Sequence, residues 1–289
     1  MARCIVTGHR GYIGSRVYKK LKELGHEVEG IDLIDGVDIN SLQGFEEDND
    51  GNFHPRWTSF KPEYIFHLAC IPRVGYSVEE PVKTMANNVM AGTNVLNFAR
   101  KVGAKRVVYS SSSSIRGDGN GPTSPYGLQK MVTEVECQLY TKLYDLDTVS
   151  LRYFNVYSKD QTVDGPYATA VANWMHYIRL GKNPFITGDG EQRRDMLHVE
   201  DAVSANIFAM DRKEDFKGAV LDVGTGNNIS LNEVKGIVLE EHPDVKFEYV
   251  EDRPGDVMYT RADTEKLKNL GWQVEINIQD GIRNCFRSL

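Results

Sequence analysis

The chain predicts an α/β fold: a doubly wound parallel β-sheet with a second, smaller α/β lobe. Two observations carry the sheet. Short apolar runs that close on glycine or serine alternate with stretches whose apolar residues recur at helical spacing. The first of these units fits strand–helix–strand within about thirty residues, the length of a right-handed parallel crossover. A third observation carries the lobe: after about Asn155 the rhythm loosens and the strands shorten.

"RCIVTG" reads as a buried strand. "GYIGSRVYKKLKELG" sets Ile13, Val17, Leu21 and Leu24 at helical spacing and closes on Gly25, a C-cap residue. "HEVEGIDLID" is the second strand. The next strand and helix of an ordinary doubly wound sheet read as trimmed, because "GVDINSL" follows at once; the polar, turn-rich "FEEDNDGNFHPRWTSF" reads as a surface excursion. "EYIFHLA" is a strand, "EPVKTMANNVMAGTNVLNFARKVG" a long helix and "AKRVVYSSS" a strand. "SPYGLQKMVTEVECQLYTKLYD" is a helix and "DTVSLRYFN" a strand. Helices near 167–181, 199–213 and 230–241 then alternate with "PFIT", "GAVLDVG" and "KFEYV". The expected domains are 1–155, carrying the sheet, with segments near 195–215 returning to it, and 156–289, mainly a second lobe.

The 289 residues give room for a sizeable core, and 40% hydrophobic with 26% charged residues is ordinary soluble composition. A net charge of -7 with no basic run argues against nucleic acid, and no apolar run is long enough for a bilayer. The start goes straight into a strand, which predicts no signal peptide and a cytoplasmic location. Cys4, Cys70, Cys137 and Cys285 are scattered without metal-ligand spacing, so no metal is expected.

"TGHRGYIG" sets Gly8, Gly11 and Gly14 between a strand and a helix. Glycines there let backbone approach a pyrophosphate, and the helix N-terminus offers free N–H groups and a positive dipole end. Asp32 closes the second strand, where a carboxylate bonds both ribose hydroxyls and repels a 2′-phosphate. The reading is a Rossmann-type site for NAD rather than NADP. Arg10, a cation inside the loop, is either a solvated surface residue or a group reaching an adenosine phosphate, as NADP would require.

These motifs, with "FHLAC", "NNVMAGTNVL", "VVYSSSSSIRG", "SPYGLQK", "LRYFNVY", "GDGEQRRDMLHVEDAV" and "RPGDVMYTRAD", resemble the extended short-chain dehydrogenase/reductase family, in particular its NAD-dependent nucleotide-sugar epimerases and dehydratases. The resemblance runs over nearly the whole chain. It implies that Asp38 and Ile39 frame the adenine and that Ala69 lines the cofactor cleft, with Tyr12, Ile13, Leu68, Asn88 and Tyr153 also at the cofactor.

Tyr126 and Lys130 are four apart on a predicted helix and share a face. Alone, that spacing usually reads as an exposed helix pair; in the family context it is expected to be catalytic. A free phenol near pKa 10 is too weakly acidic to serve as a base at neutral pH. The Lys130 ammonium and the nicotinamide charge are expected to lower it, with Lys130 also holding the nicotinamide ribose. The five serines 110–114 begin at the carboxyl edge of the sheet, where ligands bind. Aligned on Gly117, Ser112 falls where family epimerases hold the sugar 4-oxygen, while Ser110 and Ser111 read as packing or backbone-bonding residues. Family 4,6-dehydratases carry an Asp-Glu pair at the positions of Ser113 and Ser114; two neutral hydroxyls cannot remove water. Arg116 replaces the usual tyrosine of this motif.

The resemblance places Asn155, Arg194 and Arg253 on the substrate diphosphate, a role suited to the arginine fork, and Asp256 on the nucleotide ribose. His198 reads as structural. Thr187 stands where uridine-binding relatives often stack an aromatic. Thr260 replaces a bulky tyrosine and leaves room for an acetamido group. The expectation is a homodimeric nucleotide-sugar 4-epimerase acting on a UDP-hexose or UDP-N-acetylhexosamine. A dehydratase or reductase of the family, or a catalytically silent dinucleotide-binding protein, is the alternative.

Overall fold

In a computed structural model, which describes residues 1–72, 74–161, 163, 169–251 and 257–289, the apolar runs of the first half become neighbouring strands of one sheet. These are β1 (Arg3–Thr7), β2 (Glu27–Ile31), β3 (Tyr64–His67), β4 (Arg106–Ser112) and β5 (Asp147–Tyr153). With the strand Ala219–Val223 they make a six-stranded sheet in the order Ala219–Val223, β5, β4, β3, β1, β2. The pairs β1–β2, β1–β3 and β3–β4 are parallel, with Ile5 opposite both Glu29 and Ile65, and Ile65 opposite Val107. Cys4, Ile5, Val6, Ile65 and Phe66 are fully buried. Such unbroken apolar runs suit a parallel sheet covered on both faces.

Helices along the first part of the chain accompany these strands: α1 (Tyr12–Glu23), α2 (Pro55–Phe60), α3 (Val74–Glu79), α4 (Pro81–Val102) and α5 (Pro125–Tyr144). Local chemistry sets their ends. Ser124 N-caps α5 by accepting from Gly127 N at 3.1 Å, with Pro125 in the first turn. Gly103, at φ 71°, closes α4. α4 and α5 pack so closely that a Cβ on Gly92 would stand 2.6 Å from Thr133 Cγ2.

Two sequence expectations need correction. The segment read as a surface excursion contributes Phe45, Phe53 and Trp57 to the core, where Phe45 stacks on Phe98 at 4.3 Å. Its polar residues face out, and the aromatics are spaced too irregularly to register as a periodic element. "GAVLDVG", grouped with the second lobe, is the edge strand of the principal sheet beside β5.

The chain divides into a unit of Met1–Ile115, Ser124–Arg152 and Val203–Leu221, and a second of Arg116–Thr123, Tyr153–Ala202 and Asp222–Leu289. Among its described residues that unit holds three two-stranded ribbons: Val156–Tyr157 with Leu197–His198, Phe185–Thr187 with Glu248–Val250, and Arg193–Arg194 with Ile229–Ser230. Its core joins Trp174, Met175, Val234, Ile282 and Phe286.

Candidate active site

The first functional stretch is the glycine turn between β1 and α1. A Cβ on Gly14 would collide with the carbonyl oxygen of Gly8, and one on Gly8, at φ +71°, would stand 2.7 Å from Ala69 N. Side chains are therefore excluded where the loop tightens and where it meets the segment after β3. Gly11 caps α1 without a side-chain bond, and the first turn, which holds Tyr12, Ile13 and Gly14, has no acidic residue. A helix N-terminus with a positive dipole end and no acidic residue in its first turn suits an anion.

Asp32 follows β2 and accepts from Arg10 N and Ile34 N, each at 3.0 Å, one on each oxygen. Both oxygens keep lone-pair capacity for hydroxyl donors. Arg10 contributes its backbone here. Its guanidinium grips Asp35, with Nε and Nη2 at 3.0 and 2.8 Å from Oδ1. His9 Nε2 reaches the other oxygen of Asp35 at 3.0 Å. Arg10 is thus paired with a carboxylate on the surface of the loop. The helix N-terminus without a side-chain cap, the glycines of the turn and the Asp32 carboxylate together fit a dinucleotide.

Beyond β3, Ala69 N donates to Thr7 Oγ1 at 3.2 Å and Leu68 N to Thr7 O at 3.3 Å. Asn88 on α4 braces the same loop. Its Oδ1 accepts from Ile71 N at 2.7 Å, and its Nδ2 donates to Ile71 O and to Gln129 Oε1 at 2.8 Å. Asp38 folds on itself, accepting from Asn40 N at 2.9 Å, and Ile39 is buried in the core.

The serine run meets α5. Ser112 hydrogen-bonds the Tyr126 phenol, and its hydroxyl donates to Ser114 Oγ at 3.0 Å. Lys130 Nζ donates to Ser110 O at 2.7 Å. The Ser111 hydroxyl donates to Glu134 Oε1 at 2.5 Å, and Arg152 clasps the same carboxylate with Nε at 2.7 Å and Nη2 at 2.6 Å. Ser111, expected to pack or bond backbone, instead holds a buried carboxylate. Sequence reading missed Glu134 and Arg152; their only mark is that Glu134 extends the four-residue spacing of Tyr126 and Lys130.

The phenol also departs from expectation. Burial, then the neighbouring Cys70, push Tyr126 up, while the Ser112 bond pulls it down. The Lys130 ammonium is directed at a carbonyl, not at the phenol oxygen.

In the second unit, Asn155 adopts a left-handed backbone at φ 33°, and its amide donates to Asp195 O at 2.7 Å and Thr260 Oγ1 at 3.4 Å. Its side-chain donor is thus engaged within the unit. Arg194 donates to Arg193 O at 3.1 Å from the ribbon edge. Between them lies Asp195, also missed in sequence. Fully buried, it accepts from Thr225 N and Oγ1 at 2.8 Å and from Gly226 N and Ala262 N at 3.0 Å. Tyr153 is buried, and His198 packs edge-on against Tyr157 at 5.4 Å. Arg116 pairs with the buried Asp222. Thr187 accepts from Gln192 Nε2. Arg253 and Asp256 lie outside the described residues. Among the described residues no three His, Cys, Asp or Glu side chains are placed to hold a metal ion.

Residues 4–224 match the profile of the NAD dependent epimerase/dehydratase family. The chain is 32% identical to a putative UDP-glucose 4-epimerase of Methanocaldococcus jannaschii, over 96% of this chain and 95% of that protein. It superposes with TM-score 0.86 and 27% identity on a UDP-N-acetylglucosamine 4-epimerase of Methanobrevibacter ruminantium, solved with UDP-N-acetylmuramic acid, covering 99% and 97% of the two chains. A UDP-glucose 4-epimerase of Thermus thermophilus, solved with NAD, matches with TM-score 0.85 and 29% identity over 99% of each chain.

Proposed function

The chain belongs to the NAD dependent epimerase/dehydratase family, and from that premise we propose that it is a nucleotide-sugar 4-epimerase. One observation carries the reading. Ser112 bonds the buried Tyr126, with Lys130 one turn along the same helix and neutral serines at 113 and 114. NAD, when bound, supplies reversible hydride acceptance at C4. Gly8, Gly11, Gly14 and the α1 N-terminus hold its pyrophosphate, Asp32 its adenosine ribose and Lys130 its nicotinamide ribose. Tyr126 accepts the proton of the sugar 4-hydroxyl and later returns it, and Ser112 holds the 4-oxygen in hydrogen-bond reach. The chain's own burial keeps the phenol protonated. Lys130 would hold the nicotinamide ribose beside the phenol, where the positive charge of a bound oxidised cofactor would favour the phenolate. Ser113 and Ser114 are hydroxyls that stay neutral near neutral pH and cannot serve as base at C5 and acid at C6, so water is not eliminated and the 4-keto sugar has only reduction as its exit.

Asn155, Arg194, Arg253 and Asp256 are the proposed contacts to the nucleotide diphosphate and ribose. Thr260, whose hydroxyl accepts from Asp195 N and Asn155 Nδ2, is smaller than the tyrosine that the resemblance puts at its position, which suits an acetamido group. The substrate class is therefore a UDP-hexose or UDP-N-acetylhexosamine. Among the described residues no helix is long and apolar enough to cross a membrane. α4 exposes Val82, Met85 and Met90, and α5 exposes Leu128, Val135, Leu139 and Leu143. That apolar face suits a two-fold pairing of the helices into a homodimer; sedimentation finding only monomer at micromolar concentration would remove it.

The reaction is tested with substrate deuterated at C4 and catalytic NAD. An epimer that keeps the label at C4, without net cofactor consumption, is expected. A lasting 4-keto-6-deoxy product, or stoichiometric use of reduced cofactor, would replace the epimerase by a dehydratase or a reductase.

A further inference from the structure

Tyr126, Lys130 and Glu134 form one stripe along α5, and all three are buried, with Glu134 only 3% exposed. Each is tied to a different residue of the serine run: Tyr126 to Ser112, Lys130 to Ser110 O and Glu134 to the Ser111 hydroxyl. The first two ties involve residues assigned to the chemistry. The third touches nothing that reacts. It is also the most heavily built, because Arg152 at the end of β5 clasps the same carboxylate with two bonds. A single side chain thus fastens the helix to two adjacent strands of the sheet, β4 and β5.

Stability alone is a poor reason for this arrangement. Burying a carboxylate and a guanidinium costs several kcal/mol in desolvation, and well-packed apolar residues of similar volume often do as well or better. What an apolar pair cannot do is fix a direction. A bidentate fork and a hydroxyl donor define where along its axis, and at what rotation, the helix sits on the strands. Rotation of α5 would carry the Tyr126 phenol off the 4-oxygen, and a displacement of about 1 Å at a reacting group costs on the order of a hundredfold in rate.

We propose that Glu134 is a positioning residue, locked by Ser111 and Arg152, that sets the register of α5 on β4 and so aims Tyr126 and Lys130. This rests on the epimerase reading for its kinetic consequence but not for its structural one. The test uses Ser111→Ala and Glu134→Gln in the full-length protein, with two readouts. In turnover of a UDP-hexose, kcat is expected to fall about tenfold or more in Glu134→Gln and several-fold in Ser111→Ala, with KM within about twofold, because ground-state binding is untouched. In protein labelled with 3-fluorotyrosine, without substrate, the fluorine resonance of position 126, identified by its absence in Tyr126→Phe, is expected to shift in both variants while the other tyrosine resonances hold still. Folded variants with the parental kcat and an unmoved 126 resonance would overturn the inference. Should Glu134→Gln not fold, Ser111→Ala, which keeps the Arg152 clasp, decides by the same measurements. If the parent protein turns over no nucleotide sugar, the epimerase reading fails, and the fluorine resonance still judges the positioning.

Discussion

The Nζ of Lys130 lies 2.7 Å from the carbonyl oxygen of Ser110, while the ammonium stands 5.8 Å from the centre of the Tyr126 ring. Lysine and tyrosine share a helix face, but the strand carbonyl, not the phenol, takes the lysine's hydrogen bond. Burial meanwhile raises the phenol. The base form of Tyr126 is therefore scarce at low pH, and turnover is expected to rise with pH along an acid limb. Lys130→Met removes the nearest fixed cation from the phenol and should move that limb to higher pH while lowering kcat by about a hundredfold or more. A pH–rate profile of both proteins at saturating substrate checks this; an unmoved limb would mean Lys130 acts only by holding ribose. Tyr126→Phe should still bind nucleotide sugar and lose most turnover.

The Ser112 hydroxyl is the one that bonds Tyr126, while the Ser114 hydroxyl accepts from Ser112. Ser112→Ala should slow turnover by about tenfold to a hundredfold, Ser114→Ala by much less, and Ser110→Ala least, since Ser110 serves Lys130 through its backbone. Comparison of kcat across the three settles it, and equal losses would mean the register of the run is misassigned.

His67 closes β3, is 2% exposed and hydrogen-bonds Thr7 Oγ1 at 2.9 Å. Burial first, and the Lys130 ammonium second, depress its pKa to about 3. The folded protein thus refuses a proton that the unfolded chain takes near pH 6.5. The stability this contributes is fully present above 6.5 and is lost as pH falls toward 3. Between pH 7.5 and pH 5 the loss from this group alone is about 2 kcal/mol. His67→Gln keeps a partner for Thr7 without titrating. The difference in urea stability between it and the parent should therefore shrink by about that amount over the same interval. A difference independent of pH would show that His67 is protonated in the fold.

Much of this was legible before any coordinates. The glycine turn, Asp32 and the Tyr126–Lys130 pair are marked by spacing within a few residues, and local spacing maps directly onto a turn or a helix face. Long-range pairing is not so marked. Nothing in "GAVLDVG" tells which strand it will lie beside, and it joins β5. Phe45, Phe53 and Trp57 sit among polar residues that hide their shared burial. Glu134 and Arg152 each resemble an ordinary surface charge until helix and strand are laid together. Asp195 likewise gains its role from backbone N–H groups far along the chain, at Thr225, Gly226 and Ala262.

Gly92 tests how closely the two long helices are fitted. Thr133, 1% exposed, fills the space a side chain at 92 would need, and its Oγ1 already donates back to Gln129 O at 3.4 Å. Gly92→Ala gains helix propensity of about 1 kcal/mol but forces the helices apart, a net cost of about 1–2 kcal/mol. Thr133→Ser removes the methyl that stands closest. The double variant should therefore recover part of the loss in a double-mutant cycle read by urea denaturation. Simple additivity would mean that α4 and α5 have slack at this point.

Cofactor choice turns on three residues around one loop. Asp32 offers two carboxylate oxygens at the end of β2, and Arg10 stands next to them with its guanidinium held by Asp35. A free arginine there would welcome a 2′-phosphate; one already paired has its charge cancelled and its fork filled. Asp32 is therefore expected to set the preference. Asp32→Ala should weaken NAD by about tenfold to a hundredfold, the worth of charged hydrogen bonds to hydroxyls, while NADP, relieved of repulsion, changes little or improves. The carboxylate also secures Arg10 N and Ile34 N, so Asp32→Asn, which keeps the shape and loses the charge, separates repulsion from loop loosening. Arg10→Ala should leave the ratio of NAD to NADP affinity within about twofold. Calorimetric titration of both cofactors against the three variants gives the answer. If the parent prefers NADP, or if Arg10→Ala swings the ratio toward NAD by about tenfold, Arg10 leaves Asp35 to meet the phosphate and Asp32 is not the arbiter.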